Sequence, residues 1–213
     1  MEKRDLIIIG TGGMAREVRW VIEECNKIED KWNILGWVSK EEKGSIVAGL
    51  PIIGEDDSLL EYDKPVDVVI GIGSGAIRKK IAGNLRQNKN IHFPTIIAPS
   101  AEVSPWVKLG EGSIIMNKSV MTVDIEAGDF FLCNYGCTVG HDCKFEDYVT
   151  INPGAKISGS VSIEEGATIG VGASVIQGLR IGKEAFVGAG AVVIRDVADG
   201  STVVGVPAKP LEK

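Results

Sequence analysis

The chain has few of the residues from which metal, membrane or nucleic-acid chemistry is built. Among 213 residues there are two histidines and four cysteines, and aromatic side chains make up 6%. Acidic residues outnumber basic ones, 29 to 23, for a net charge of −6, which argues against a nucleic-acid backbone or an anionic membrane as the main partner. Near the N-terminus the apolar run is only Leu6–Ile9, too short for a signal-peptide core or a membrane span, so a cytoplasmic protein without membrane insertion is expected. Four cysteines without secretory features are expected to stay reduced. What the chain does have is glycine, 27 residues of it, in an otherwise ordinary globular composition of 44% hydrophobic and 24% charged residues. Many tight turns around a core of small aliphatic side chains follow.

Two rhythms divide the sequence, and the boundary falls between residues 94 and 95. In 1–94, short apolar runs alternate with amphipathic stretches. "LIIIG" (6–10) reads as a buried strand, followed by a helix with Val18, Val21, Ile22 and Cys25 on one face. "NILGWVS" and "VDVVIGIG" are further strands, and "AIRKKIAGNLRQN" is a second helix with Ile77, Ile81 and Leu85 on its apolar side. Such alternation implies a small parallel α/β domain.

In 95–213 a different rule holds. Stepping by six from Ile97, through Val103, Leu109, Ile115 and Met121 to Val187 and Val193, every position is apolar. Four residues after these come small or medium apolar residues or serines, among them Ser113, Ser119, Cys137, Ala155 and Ala173. A period of six fits neither a helix nor an ordinary strand. It fits the parallel β-helix built from hexapeptides, in which three faces close a coil and residues eighteen apart stack.

This register sorts the stretch "NYGCTVGHDC" (134–143), which otherwise resembles a metal site. Cys133 takes an aliphatic position; Cys137 and Cys143 take the small position that follows. All three are expected to point inward as compact hydrophobes, and no metal is expected. His141 falls on an outward turn, with Asp142 beside it; a carboxylate next to an imidazole holds its tautomer and strengthens it as a base. From the residues alone, an acid–base pair and a plain surface histidine both remain open. One coil beyond His141 stands Gly159, which reads equally as a turn glycine or as a place where a ligand approaches the backbone. In the first half, "GTGGMA" (10–15) follows a strand and opens a helix, as a phosphate-binding loop does. The next strand ends at Ser39 and Lys40, where a nicotinamide cofactor would need an acid for its ribose, so hydride transfer is not expected.

"FPTIIAPSAEVS" before the repeats, "GVGASVIQGLRIGKEAFVGAGAVV" within them and "GVPAKPL" after them resemble the hexapeptide-repeat acyltransferases. With "IIIGTGGMAREV" and "IGSGAIRKK", the whole chain resembles the bacterial sugar acetyltransferases grouped as sialic acid O-acetyltransferases and nucleotide-diphospho-4-amino-sugar N-acetyltransferases. The resemblance implies a Rossmann-like domain, a left-handed β-helix and a homotrimer. It implies transfer of acetyl from acetyl-CoA, as co-substrate, to the amino group of a nucleotide-linked amino sugar that serves as a glycan precursor. O-acetylation of sialic acid and a non-catalytic sugar-nucleotide scaffold are the alternatives. By the same resemblance His141 is the general base, aided by Asp142, and Asn134 faces the acceptor. Gly159, Val171 and Ala189 meet coenzyme A. Thr150 stands where the family commonly has a second histidine, near the acetyl group. Gly12, Gly13, Met14 and Ala15 would hold the nucleotide diphosphate, with Ser39, Lys40 and Gly73 alongside; Ser39 and Lys40 replace two acids often found in the family. Arg78 reads as a solvated helix residue or a phosphate contact, and His92 as structural.

Overall fold

β-Branched residues and leucine fill β1 (Arg4–Ile9), whose last four residues are buried on both faces, as a central parallel strand requires. In the computed structural model, which describes residues 3–211, this strand is the middle of the first of two units, Met1–Pro99. The chain continues through α1 (Gly13–Ile28), β2 (Trp32–Val38), β3 (Ile46–Val47) and β4 (Leu50–Gly54). A 3-10 turn, Asp56–Glu61, leads to β5 (Val66–Ile70), α2 (Gly75–Leu85) and β6 (Ile91–His92). The sheet order is β3-β4-β2-β1-β5-β6, parallel throughout except for the β3–β4 hairpin. α1 buries Val18, Val21 and Ile22, as their spacing requires. Gly71, just past β5, lets it do so: a Cβ there would lie 2.7 Å from the Ala15 Cα. α2 departs from expectation. Its buried side is Arg78, Ile81, Ala82 and Leu85, while Ile77 is 48% exposed. The unit runs five residues past the expected boundary at 94, because Ile96–Ile97 pack with α1; the Cys25 thiol donates to the Ile97 carbonyl at 3.3 Å.

The second unit, Ser100–Lys213, is the left-handed parallel β-helix. Two-residue strands recur every six residues, as at Ile114–Ile115, Val120–Met121 and Glu126–Ala127. Their ladders are parallel with partners eighteen apart: Ile115 pairs with Cys133, Met121 with Val139 and Ala127 with Phe145. The second residue of each strand faces inward, and from Ile115 to Val193 these positions form one continuous core. The opening members differ: Val103 and Leu109 are half-buried, and Ile97 is exposed and belongs to the first unit. The small position holds one aromatic residue, Phe131, which stacks on Phe145 with ring centroids 5.0 Å apart.

Corners are made by left-handed backbone. From Gly112 to Gly190 every sixth residue has positive φ, including Lys118, Asp124, Phe130, Asp142, Tyr148, Ser160 and Glu184. A side chain in that region costs roughly 1–2 kcal/mol. From Phe130 on, each corner recovers a hydrogen bond to the coil before: the amides of Asp142, Tyr148 and Gly154 donate to the carbonyls of Val123, Asp129 and Tyr135 at 2.8–3.1 Å. After Val193 the spacing shortens. Ile181 pairs with Val197 and Val187 with Val203, sixteen apart, and Thr202–Val204 then takes an antiparallel partner, Lys209–Pro210.

Candidate active site

His141 stands at the corner after Thr138–Val139. Neighbouring side chains on an extended backbone point apart; here Asp142 has φ 58°, and the bend brings its Oδ2 to 2.7 Å from the His141 Nδ1. A carboxylate only accepts, so a neutral imidazole held in this way carries its proton on Nδ1 and leaves Nε2 as the acceptor. Both side chains are about half exposed, so the pair lies at the surface where a substrate can reach it. Gly159 lies under the ring: a Cβ there would stand 2.6 Å from Cε1 and Nε2. This glycine is buried, and seating the imidazole is the constraint that keeps it bare.

The cysteines lie inside the prism. Cys133, Cys137 and Cys143 are buried, and the latter two donate to the carbonyls of Asn152 and Ser158 at 3.1 and 3.2 Å. The hydrogen bond with Cys137, together with burial, pushes the Cys133 thiol well up; burial pushes Cys143 up. Among the described residues no group of three or more His, Cys, Asp or Glu is arranged to hold a metal ion.

Eighteen-residue stacking separates the other expected residues from this pair. Val171 and Ala189 stand one coil apart at a different corner, the one that follows Leu132–Cys133 and also holds Asn134. One copy of the chain therefore does not bring Asn134, Val171 and Ala189 to His141. Val171 is 54% exposed and Ala189 is exposed. Asn134, expected to face out, is buried, and its Oδ1 accepts from the Tyr135 amide at 2.8 Å. Thr150 is also buried, in the ladder between Leu132 and Thr168, so its hydroxyl lies below the surface.

In the first unit the expected residues follow the C-terminal ends of three adjacent parallel strands, where α/β sheets bind ligands. Gly10–Gly12 follow β1, Ser39 and Lys40 follow β2, and Gly73 follows β5. Gly12 is the N-cap of α1 without a side-chain acceptor over it; Gly12 and Gly13 are exposed, Met14 is half-buried and Ala15 is buried. Two findings correct or extend the sequence reading. Arg78 is not the solvated helix residue: it is buried, and its Nη1 donates to the carbonyls of Ile72 and Gly73 at 3.0 and 2.7 Å. An acid does stand beside the glycine loop, two residues past Ser39: the Thr11 hydroxyl donates to the Glu41 Oε1 at 2.8 Å. Lys40 lines a cleft of ≈ 590 Å³ with Glu55, Asp56, Ile77 and Asn84, where burial and then Asp57 hold the Asp56 carboxyl above its usual range. His92 is exposed.

The sequence also passed over Trp106. In the second unit a pocket of ≈ 210 Å³ is lined by Trp106, Lys108, Asp124, Glu126, Lys144 and the same Asp142 that holds His141. Adding eighteen twice to 106 gives 142, so the register itself carried the signal.

Comparison with known proteins places these features in a family. Residues 5–85 match the family of the PglD N-terminal domain. The whole chain is similar to the acetyltransferase domain of PglB from Neisseria gonorrhoeae FA1090, with 35% identity, 98% of this chain and 100% of that one covered, and a TM-score of 0.91. That domain has also been solved with acetyl coenzyme A. A histidine-to-asparagine variant of perosamine N-acetyltransferase from Caulobacter crescentus, solved with CoA and GDP-perosamine, is 34% identical over 98% of this chain and 97% of that one, with a TM-score of 0.91. WeeI from Acinetobacter baumannii AYE is 30% identical over 98% and 100%, with a TM-score of 0.89. No match was found among curated protein sequences. With likeness of this degree running the length of both units, the chain belongs to the bacterial hexapeptide-repeat sugar acetyltransferases.

Proposed function

We propose that this enzyme transfers the acetyl group of acetyl-CoA to the amino group of a nucleotide-linked amino sugar, with His141 as general base. The observation that carries the reading is the His141–Asp142 pair, an imidazole held through its Nδ1 in a chain similar to acetyltransferases solved with acetyl-CoA and with GDP-perosamine. The neutral amine attacks the thioester carbon and forms the C–N bond while Nε2 takes its proton. The oxygen that gains charge needs a donor, and the Gly159 backbone N–H, at the edge of the imidazole, is the candidate. Collapse breaks the C–S bond, and the imidazolium returns the proton to the leaving thiolate, giving amide and free CoA.

The remaining residues fit a site shared between copies. With His141 and Gly159 at one corner and Asn134, Val171 and Ala189 at another, a site using all five needs the corner of a second chain, which supports the homotrimer. Val171, which is exposed, would meet the coenzyme A arm at that junction. In the first unit, the exposed glycines at the start of α1 suit the diphosphate, and Ser39, Lys40 and Gly73 border it. Both co-substrates belong to cytoplasmic pools, which supports a cytoplasmic enzyme, and among the described residues no helix is long and apolar enough to cross a membrane.

The test is thiol release from acetyl-CoA across UDP-, dTDP- and GDP-linked 4-amino sugars and free sialic acid. Release with at least one nucleotide-linked amino sugar, lost in His141→Ala, is expected. Silence with the whole amino-sugar panel, or full turnover by His141→Ala, overturns the reading.

A further inference from the structure

We infer that the pocket beside Asp142 seats the sugar ring of the acceptor, with Trp106 as its stacking platform and Asp124 as a hydroxyl acceptor. This rests on the amino-sugar reading above and adds where, and by which residues, the ring is held. Trp106, Asp124 and Asp142 stand eighteen apart at one corner of the prism, and Lys108, Glu126 and Lys144 stand eighteen apart on the adjoining strands, paired in register. The six line one pocket, and one of its walls is Asp142, the residue that holds the candidate base.

Three properties select the ligand. First, Trp106 is 65% exposed, although tryptophan is on average well buried; its indole forms a flat apolar wall in a pocket whose other lining residues are all charged. A pyranose has the matching surfaces, a C–H face that lies on an aromatic ring and hydroxyls that bond to charged groups around the rim. Second, three carboxylates face two ammonium groups, and Lys108 is already held by Glu126 at 2.8 Å. A diphosphate would meet net negative charge there, so the ring rather than the pyrophosphate belongs in this pocket. Third, direction matters. The next coil after His141 brings Gly159 under the imidazole, whereas the two coils before it bring Asp124 and Trp106 beside Asp142. An acceptor ring on Trp106 therefore approaches the His141–Asp142 pair from the N-terminal coils and leaves the C-terminal coils to the acyl donor.

Two variants of the full chain, Trp106→Ala and Trp106→Phe, test this by steady-state kinetics with the acceptor varied. Removal of the indole is expected to raise the acceptor KM about fivefold, with the KM for acetyl-CoA unchanged, and phenylalanine is expected to restore most of it. Asp124→Asn is expected to raise the acceptor KM about threefold. If Trp106→Ala fails to fold, the phenylalanine and asparagine variants carry the kinetic test. A second readout needs no turnover. On a His141→Ala background the acceptor is expected to quench tryptophan fluorescence, and Trp106→Phe is expected to abolish the quench while binding, followed by calorimetry, persists. An unchanged acceptor KM in Trp106→Ala, equal shifts in both KM values, or a quench that survives Trp106→Phe overturns the inference. The two failures are distinguishable: no acetyl transfer to any amino sugar defeats the proposed function, whereas transfer that ignores Trp106 defeats only the pocket.

Discussion

The α/β unit and the β-helix bury polar groups in different ways. In the first, the buried groups are charged and individually held: Asp67 takes the Arg4 guanidinium and the Trp32 indole N–H, and Arg78 spans two loop carbonyls. In the second, the buried groups are neutral, the Asn134 amide beside hydroxyls and thiols on repeated positions, such as Ser119 on the Asn134 carbonyl and Cys137 on that of Asn152. A charged group in a core is costly without a partner, so each one ties down a particular place in the chain. A thiol or hydroxyl on a ladder carbonyl is replaceable, because the ladder is made by the backbone. The α/β unit thus places its loops by specific contacts, and the β-helix places its site by register.

Four substitutions would break or sharpen this contrast. His141→Ala touches the site and not the register: kcat is expected to fall by roughly 10²–10⁴ with the melting temperature unchanged, checked by thiol release and calorimetry. Gly159→Val attacks the seating of the base one coil away. Its side chain must displace an imidazole only 2.6 Å from the new Cβ, and kcat is expected to fall about 10²-fold. Arg78→Met strips the charged tie from the α/β unit. The two carbonyls at the end of β5 lose their donor at a cost of about 1–3 kcal/mol, read as a lower unfolding midpoint together with weaker nucleotide binding. Cys137→Ser is the mildest, because serine keeps a donor on the Asn152 carbonyl; a change within about 1 kcal/mol is expected, and chelators should leave activity unchanged in both forms. If Cys137→Ser proved as damaging as Arg78→Met, the contrast between specific ties and replaceable ladder groups would fail.

Much of this was legible in the residues, and the exceptions have physical causes. The period of six gave the ladders, the inward cysteines and the outward His141, because in a β-helix side-chain direction follows from position alone. The same arithmetic shows why Asn134 is not at the His141 corner: the two are seven residues apart, one more than a face and far short of the eighteen of a coil. The α/β unit resisted such reading. Its buried arginine looks like any solvated helix residue until the loop carbonyls at 72 and 73 are seen beneath it, and that placement depends on tertiary contacts. The sequence places His141 and Asp142 side by side, but only the corner geometry shows that the left-handed backbone at every sixth residue turns their side chains together.

The shortened last coil bears on how such a molecule stays finite. A stack of parallel coils ends in open backbone, and open strand edges invite further strands to add. Were the spacing of eighteen kept to the terminus, the final coil would offer the same template that each coil offers the next, and chains could polymerise end to end. Dropping two residues after Val193 spoils the match to another eighteen-residue coil, and the antiparallel segment Lys209–Pro210 occupies the edge of Thr202–Val204. The enzyme carries its own end-stop, and a variant that restored the two missing residues would be the one to watch for fibres.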